Sequence, residues 1–336
     1  MKEKWSFFTI GLLSGILAAA LVMAALERRA DSSGSGARVL KLAHNLESSH
    51  PVHAGMEFMK KRIEELSGGR LRIDIYSGGA LGSETKCIEQ LQNGSLDMAK
   101  ASSAQLGMFV PQFQTLALPY LFRDHGHYWR VLDSKVGDKF LSFARAKNMY
   151  GLCFYDAGSR SFYTTKKPIR TPGDLSGMKI RVMNSRTDME TIDALGASPT
   201  PISSGETYTS MAQGVVDGAE NNIPTYYLSG HCEVAKYFTE DEHSSIPDVL
   251  VISQKTWNDL PQEDRQIILK AARESSKFQR QLWEKFESEA RGALAKKGVE
   301  FIVPDKSLFA EKTRRVYDSR KGTESGALVD EIRAVE

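Results

Sequence analysis

The chain has 336 residues, a formal net charge of +2, 41% hydrophobic residues and 26% charged residues. That length allows about two domains, and the composition is that of an ordinary globular chain. A charge so near zero, with no basic block interleaved with aromatics, argues against a nucleic-acid partner.

Lys2 and Lys4 precede an apolar run from Trp5 to Leu26, the outline of a secretory leader. The run is also long enough to span a bilayer. Residues 1–30 are therefore expected to be a cleaved export signal, with an uncleaved anchor as the alternative, and 31–36 a flexible linker. Val39–Ala43 reads as a buried strand. Pro51 opens a helix with Val52, Met56, Met59, Ile63 and Leu66 on one face. Leu71, Ile73 and Ile75 alternate with charges as in a half-buried strand, and a helix carrying Ile88 and Leu91 follows. This strand–helix alternation predicts a mainly parallel sheet with helices on its faces.

Leu96–Ala101 is a further strand, running into Ser102, Ser103 and Gln105 at its carboxyl end, where open α/β sheets bind ligands. His125–Phe143 is expected to be one helix and Met149–Tyr155 a strand. Thr171-Pro172-Gly173-Asp174 resembles a helix start. Ser203-Ser204-Gly205-Glu206 fits a capping box, which gives Glu206 a cap role in preference to a ligand role. Pro261–Gly298 reads as one long helix with the stripe Phe278, Leu282, Phe286, Ala290 and Leu294. The tail after about Asp318 has few apolar residues and is expected to be loosely ordered.

Cys87, Cys153 and Cys232 lie far apart without metal-ligand spacing. They read as small buried hydrophobes, with one disulfide and a leftover thiol as the alternative in an exported protein. The histidines show no H-E-x-x-H pattern, so no metal is expected, and no dinucleotide, P-loop or nucleophile-elbow motif points to a cofactor or to hydrolase chemistry.

The stretch from Gly158 to Asn222 carries the most information. The strand Met178-Lys179-Ile180-Arg181-Val182 places Arg181 near its carboxyl end. Arg160 follows Gly158-Ser159, and Asp217-Gly218-Ala219-Glu220-Asn221-Asn222 follows Val215-Val216. A guanidinium matches a carboxylate bidentately, and asparagine supplies a donor and an acceptor for a hydroxyl, so these three loop edges suit a small anion.

Gly158–Arg160, Met178–Ser185, Leu195–Pro201 and above all Gly214–Asn222 resemble the solute-binding proteins of TRAP transporters, the DctP-type family, and the resemblance runs from about Val39 to Val303. It implies a two-domain α/β periplasmic-binding-protein-like fold (type II), with the ligand cleft between the domains and a long helix spanning both. The expected division is 37–157 plus 248–286 for domain I and 158–247 plus 287–336 for domain II. In that family the position of Arg181 binds the ligand carboxylate, and those of Arg160 and Asn221 complete the anionic end. Closure of the first domain would add His44, Asn45, Glu84 and Ser102, and His243 lies near the pocket by analogy. The family role is non-enzymatic and extracytoplasmic, with a small organic acid anion and the TRAP membrane permease subunits as partners.

The polar set Asn45, Glu84, Ser102, Ser103, Gln105, Asn221 and Asn222 can bond several hydroxyls, which favours a sugar acid, a uronate or aldonate. Ser204 stands where the family often carries an aromatic floor, and Ser102 and Gln105 argue against sialic acid. The alternatives are a C4-dicarboxylate or keto acid, or a membrane-tethered sensory domain. An enzyme built on His44, Ser102 and Glu84 has no nucleophile motif behind it.

Overall fold

The structure, a computed structural model, describes residues 36–336. The expected leader and nearly all of the linker lie outside them. No helix among the described residues is long and apolar enough to cross a membrane.

Two sheets organise the fold. The first has the strand order β2-β1-β3-β10-β4, built from β1 (Arg38–Ala43), β2 (Leu71–Tyr76), β3 (Met98–Ser102), β4 (Met149–Tyr155) and β10 (Asp248–Ser253). β1 runs parallel to β2 and β3, and β10 is antiparallel to both its neighbours. The second has the order β11-β9-β5-β8-β6-β7, built from β5 (Arg160–Thr164), β6 (Lys179–Val182), β7 (Ser198–Pro201), β8 (Gly218–Asn221), β9 (Tyr237–Ser244) and β11 (Glu300–Ile302). Helix α1 (Pro51–Leu66) forms as the periodicity requires. His50 caps it, Pro51 opens it, and Val52, Met56, Met59 and Ile63 are buried against Leu40, Leu42 and Ile73.

Four crossings join the lobes: β4 to β5, β9 to β10, the 35-residue helix α4 (Gln262–Lys296), and the return of the chain from Phe309 in the second core to Leu328 in the first. At 1.5 Å per residue such a helix is about 50 Å long. It begins in the first core, with Ile268, Ala271 and Ala272, and ends in the second, with Ala290 and Leu294. Its central buried face is not the apolar stripe expected. Phe278, Leu282 and Phe286 are half-buried, and Ser275, Ser276, Gln279 and Trp283 face inward instead. The reason is the crossing strand beside it. Gln279 accepts from Asp156 N at 2.8 Å and donates to Asp156 O at 2.9 Å, and Ser276 donates to Phe154 O at 2.6 Å. A buried backbone leaving a sheet needs such partners. Gly158 sits here with φ +58, and a Cβ would lie 2.9 Å from the Trp283 ring, so the residue after the crossing has neither room nor backbone freedom for a side chain.

Three further expectations are corrected. The helix expected over 125–143 is two, α2 (His125–Leu132) and α3 (Lys135–Phe143), because Ser134 turns its hydroxyl to Val136 N and starts a new N-terminus. The tail is not loose: α5 (Glu324–Arg333) buries Leu328, Val329 and Ile332 in the core of the first lobe beside Leu106, Val110 and Phe113, so the end of the chain returns to the first sheet instead of staying with the second. The capping box at Ser203–Glu206 does not form, since neither residue makes a side-chain cap bond; the one at Thr171–Asp174 does. All three cysteines are free and buried.

Candidate functional site

A cleft of about 620 Å³ lies between the lobes, lined from both sheets, within the range of about 300–1,000 Å³ usual for small-molecule sites. Its second-lobe wall comes from the carboxyl ends of β6 and β8 and the start of β5. In β6, Ile180 and Val182 enter the core of that lobe, and the period of two sends Arg181 to the other face. Arg181 is only 2% exposed. Its Nε donates to Ile202 O at 2.8 Å, and among the described residues its terminal nitrogens make no protein hydrogen bond. Burial lowers its pKa, with Tyr163 and Glu220 partly opposing. It is a desolvated cation with no contacting carboxylate among the described residues.

Arg160, beside it, is spent. Its Nε donates to Glu220 Oε2 at 2.5 Å, Nη2 to Glu220 Oε1 at 2.8 Å and to Glu220 O at 2.9 Å, and Nη1 to Asn221 Oδ1 at 2.9 Å. Behind Glu220 stands His243, with Nε2 3.7 Å from Glu220 Oε2, Nδ1 2.9 Å from Asp241 Oδ2 and its ring stacked on Phe162. Burial alone would lower its pKa, but Asp241 and Glu220 outweigh burial and lift it to about 9. For Glu220, burial works upward and is overcome by Arg160 and His243, which hold it down at about 2. The result is a buried chain of alternating charge, Arg160–Glu220–His243–Asp241. Asn221 and Asn222 line the cleft with their carbonyl oxygens committed, to Arg160 and Asn222 N in one case and to Thr225 N in the other. Their amide nitrogens make no bond within the described protein, leaving donors for a ligand.

The first-lobe wall is built on Lys100. This lysine, 3% exposed, lies within β3 and donates to Glu84 Oε1 at 2.7 Å and to Asp248 Oδ1 at 3.1 Å. Burial works against its charge, and the two carboxylates more than restore it, so its pKa is raised. Asn45 Oδ1 and Ser102 Oγ are buried without a partner on the same wall; buried polar atoms ordinarily have one. His50 completes this side. Its Nδ1 accepts from Val52 N, so Nε2 carries the proton, which it gives to Thr225 Oγ1 of the opposite wall at 3.4 Å.

Of the residues singled out in the sequence, the structure brings Arg181, Arg160, Asn221, Asn222, Asn45, Glu84, Ser102 and Gln105 to the cleft. His44, Ser103 and His243 are not on it. His44 is turned to His53, 2.9 Å away, and burial pushes its pKa down to about 3. Ser103 is buried without a partner for its hydroxyl, and His243 acts one residue removed, through Glu220. Lys100, Asp248, His50 and Thr225 were missed. Lys100 is the one charge in the Met98–Ala101 run and Asp248 the one charge in the buried strand Asp248–Ser253, and a lone charge inside a buried strand was the available signal. Glu206, read from the sequence as a cap, lines the cleft instead.

The profile of bacterial extracellular solute-binding protein family 7, DctP, matches residues 42–322. A protein of Chromohalobacter salexigens described as a solute-binding protein is 36% identical over 287 residues, 84% of this chain and 85% of that one. Among solved structures, a TRAP periplasmic solute-binding protein from a Bradyrhizobium species in complex with D-galacturonate superposes with a TM-score of 0.86 at 40% identity, covering 88% of this chain and 99% of that one. One from Chromohalobacter salexigens with bound D-glucuronate gives 0.86 at 34% identity, covering 88% and 100%. With two lobes, a crossing helix and a buried guanidinium facing the cleft between them, the chain belongs to the DctP family of bacterial extracellular solute-binding proteins.

Proposed function

We propose that this chain is the periplasmic solute-binding subunit of a TRAP transporter and captures a hexuronate, handing it to the membrane permease without chemical change. The observation that carries the reading is Arg181, a buried guanidinium with both terminal nitrogens open to the cleft. It gains a bidentate, charge-assisted pair when a carboxylate arrives, and the low-dielectric surroundings strengthen that pair relative to bulk water. The uncommitted Asn45 Oδ1, Ser102 Oγ and the Asn221 and Asn222 amides then take ring hydroxyls, which an apolar keto acid lacks. Solved relatives with bound galacturonate and glucuronate support the same class. Arg160 is a positioning group in this reading: four of its five N–H donors face Glu220 and Asn221. Ligand contacts that differ between open and closed forms drive closure.

The test is a thermal-shift and calorimetric screen of the chain against glucuronate, galacturonate, gluconate, succinate and pyruvate. A ligand bound only by the folded state raises Tm with the logarithm of its excess over Kd. A shift with a uronate and none with succinate is the expected result; a shift confined to succinate or pyruvate overturns the sugar-acid reading. Turnover of the bound uronate would contradict a purely binding role.

A further inference from the structure

Within the hexuronate reading, on which this rests, the cleft has two unlike walls. Arg181 on the second lobe is a cation short of an anion. On the first lobe, Lys100 is a cation already held between two carboxylates, Glu84 and Asp248. Two of the three ammonium N–H groups are spent on them. Glu84 Oε2 and Asp248 Oδ2 make no hydrogen bond within the described protein, and both residues line the cleft. We infer that the Glu84–Lys100–Asp248 triad is a specificity device: it reads hydroxyls at the end of the ligand away from the carboxylate and rejects a second carboxylate there, so that uronates are admitted and aldarates, the same sugars with both chain ends oxidised to carboxylates, are excluded.

The physics is a difference between two ligands of nearly equal size. A hydroxyl can donate to a carboxylate oxygen of Glu84 or Asp248 and accept the remaining Lys100 N–H, and a neighbouring hydroxyl can donate to the other carboxylate. A carboxylate can only accept. It finds one N–H free and two negative neighbours, in a site where burial amplifies the repulsion. Like-charge juxtaposition in a desolvated interface is the usual means of rejecting a wrong partner. Asp248 already feels this: burial, and then the charge of Glu84, push its pKa up against the pull of Lys100. Among the described residues no unpaired cation stands on this wall to receive a second anion: the other polar side chains lining it, Asn45, Ser83, Thr85, Ser102 and Gln105, are neutral, and burial pushes the pKa of His50 down to about 3.

The experiment is calorimetric titration of the full chain with D-galacturonate and with D-galactarate, in the wild type and in Glu84→Gln and Asp248→Asn. The wild type is expected to bind the uronate at least about 100-fold more tightly than the aldarate, the scale of a few kcal/mol of like-charge repulsion. Removing one carboxylate charge while keeping its shape should narrow that ratio by about tenfold or more, chiefly by strengthening aldarate binding. The inference is overturned if the wild type binds the aldarate within tenfold of the uronate, a measurement that needs no variant to fold. It is also overturned if both folded variants weaken the two ligands equally and leave the ratio unchanged. Failure of the wild type to bind either sugar acid overturns the hexuronate reading itself, and is told apart by the missing uronate signal.

Discussion

The two walls of the cleft show three buried cations in two different situations. Arg160 and Lys100, on opposite lobes, are each paired with carboxylates of their own lobe. Arg181, beside Arg160 on the second wall, has none in contact among the described residues. The paired cations have their charge answered within their own wall, with an excess of one carboxylate around Lys100, and the unpaired one is where an incoming anion gains most. A buried pair is weak evidence of net stability, but removing one partner is strongly destabilising because the other is left uncompensated. The difference separates residues that shape the site from the one that carries its affinity.

The sharpest way to break this contrast is Glu220→Gln, which strands Arg160. Stability should fall by about 3–5 kcal/mol, read from urea unfolding, and a loss under about 1 kcal/mol would mean that Arg160 is not held as the geometry indicates. A second test uses pH. The folded pKa of His243 is lifted from 6.5 to about 9, so its contribution is fully present below pH 6.5 and lost as pH rises through 9. Its size is on the order of 3 kcal/mol. Melting temperature should decline between pH 6.5 and 9.5 in the wild type and stay flatter in His243→Asn; equal slopes would remove His243 from the support of Glu220.

On the ligand side, Arg181→Lys keeps the charge and loses the fork. Loss of one charge-assisted hydrogen bond, about 1.5–3 kcal/mol, predicts a roughly 10- to 100-fold weaker Kd for a uronate with unfolding unchanged. Unaltered affinity would transfer the carboxylate to another group. The smallest effect belongs to the bond across the cleft. Thr225→Val removes the acceptor of His50 Nε2–H, and uronate binding should weaken by about 1 kcal/mol, a few-fold in calorimetry; no change would show that this contact does not favour the closed arrangement.

Much of the site was legible because it hangs on strand ends. The run Lys179–Val182 announces itself by its alternation and Gly214–Asn222 by its family resemblance, and the polar residues at the strand ends fall at the cleft by topology. What misled was the inference of role from residue type. Both arginines read as carboxylate binders, yet the register Ser161↔Asn221 and Phe162↔Glu220 sets Glu220 beside Arg160 and consumes it. His44 and His243 were expected at the ligand from the family resemblance, and both are turned to protein partners instead, His53 and the Asp241–Glu220 pair. The long helix was visible, but its central face was misread, because the polar residues buried there answer the backbone of a crossing strand that the helix sequence does not contain.

The sequence by itself determined the family, the two-lobed α/β architecture and the presence of Arg181 at a strand end, since these rest on local periodicity and on a motif of contiguous residues. Only the tertiary structure decided which cations are paired. Glu84, Lys100 and Asp248 come from three separate segments, the last of them 148 residues from the lysine. Their juxtaposition depends on β10 returning from the second lobe to lie antiparallel to β3, with Asp248 in register with Ser102, a long-range pairing that no local pattern encodes.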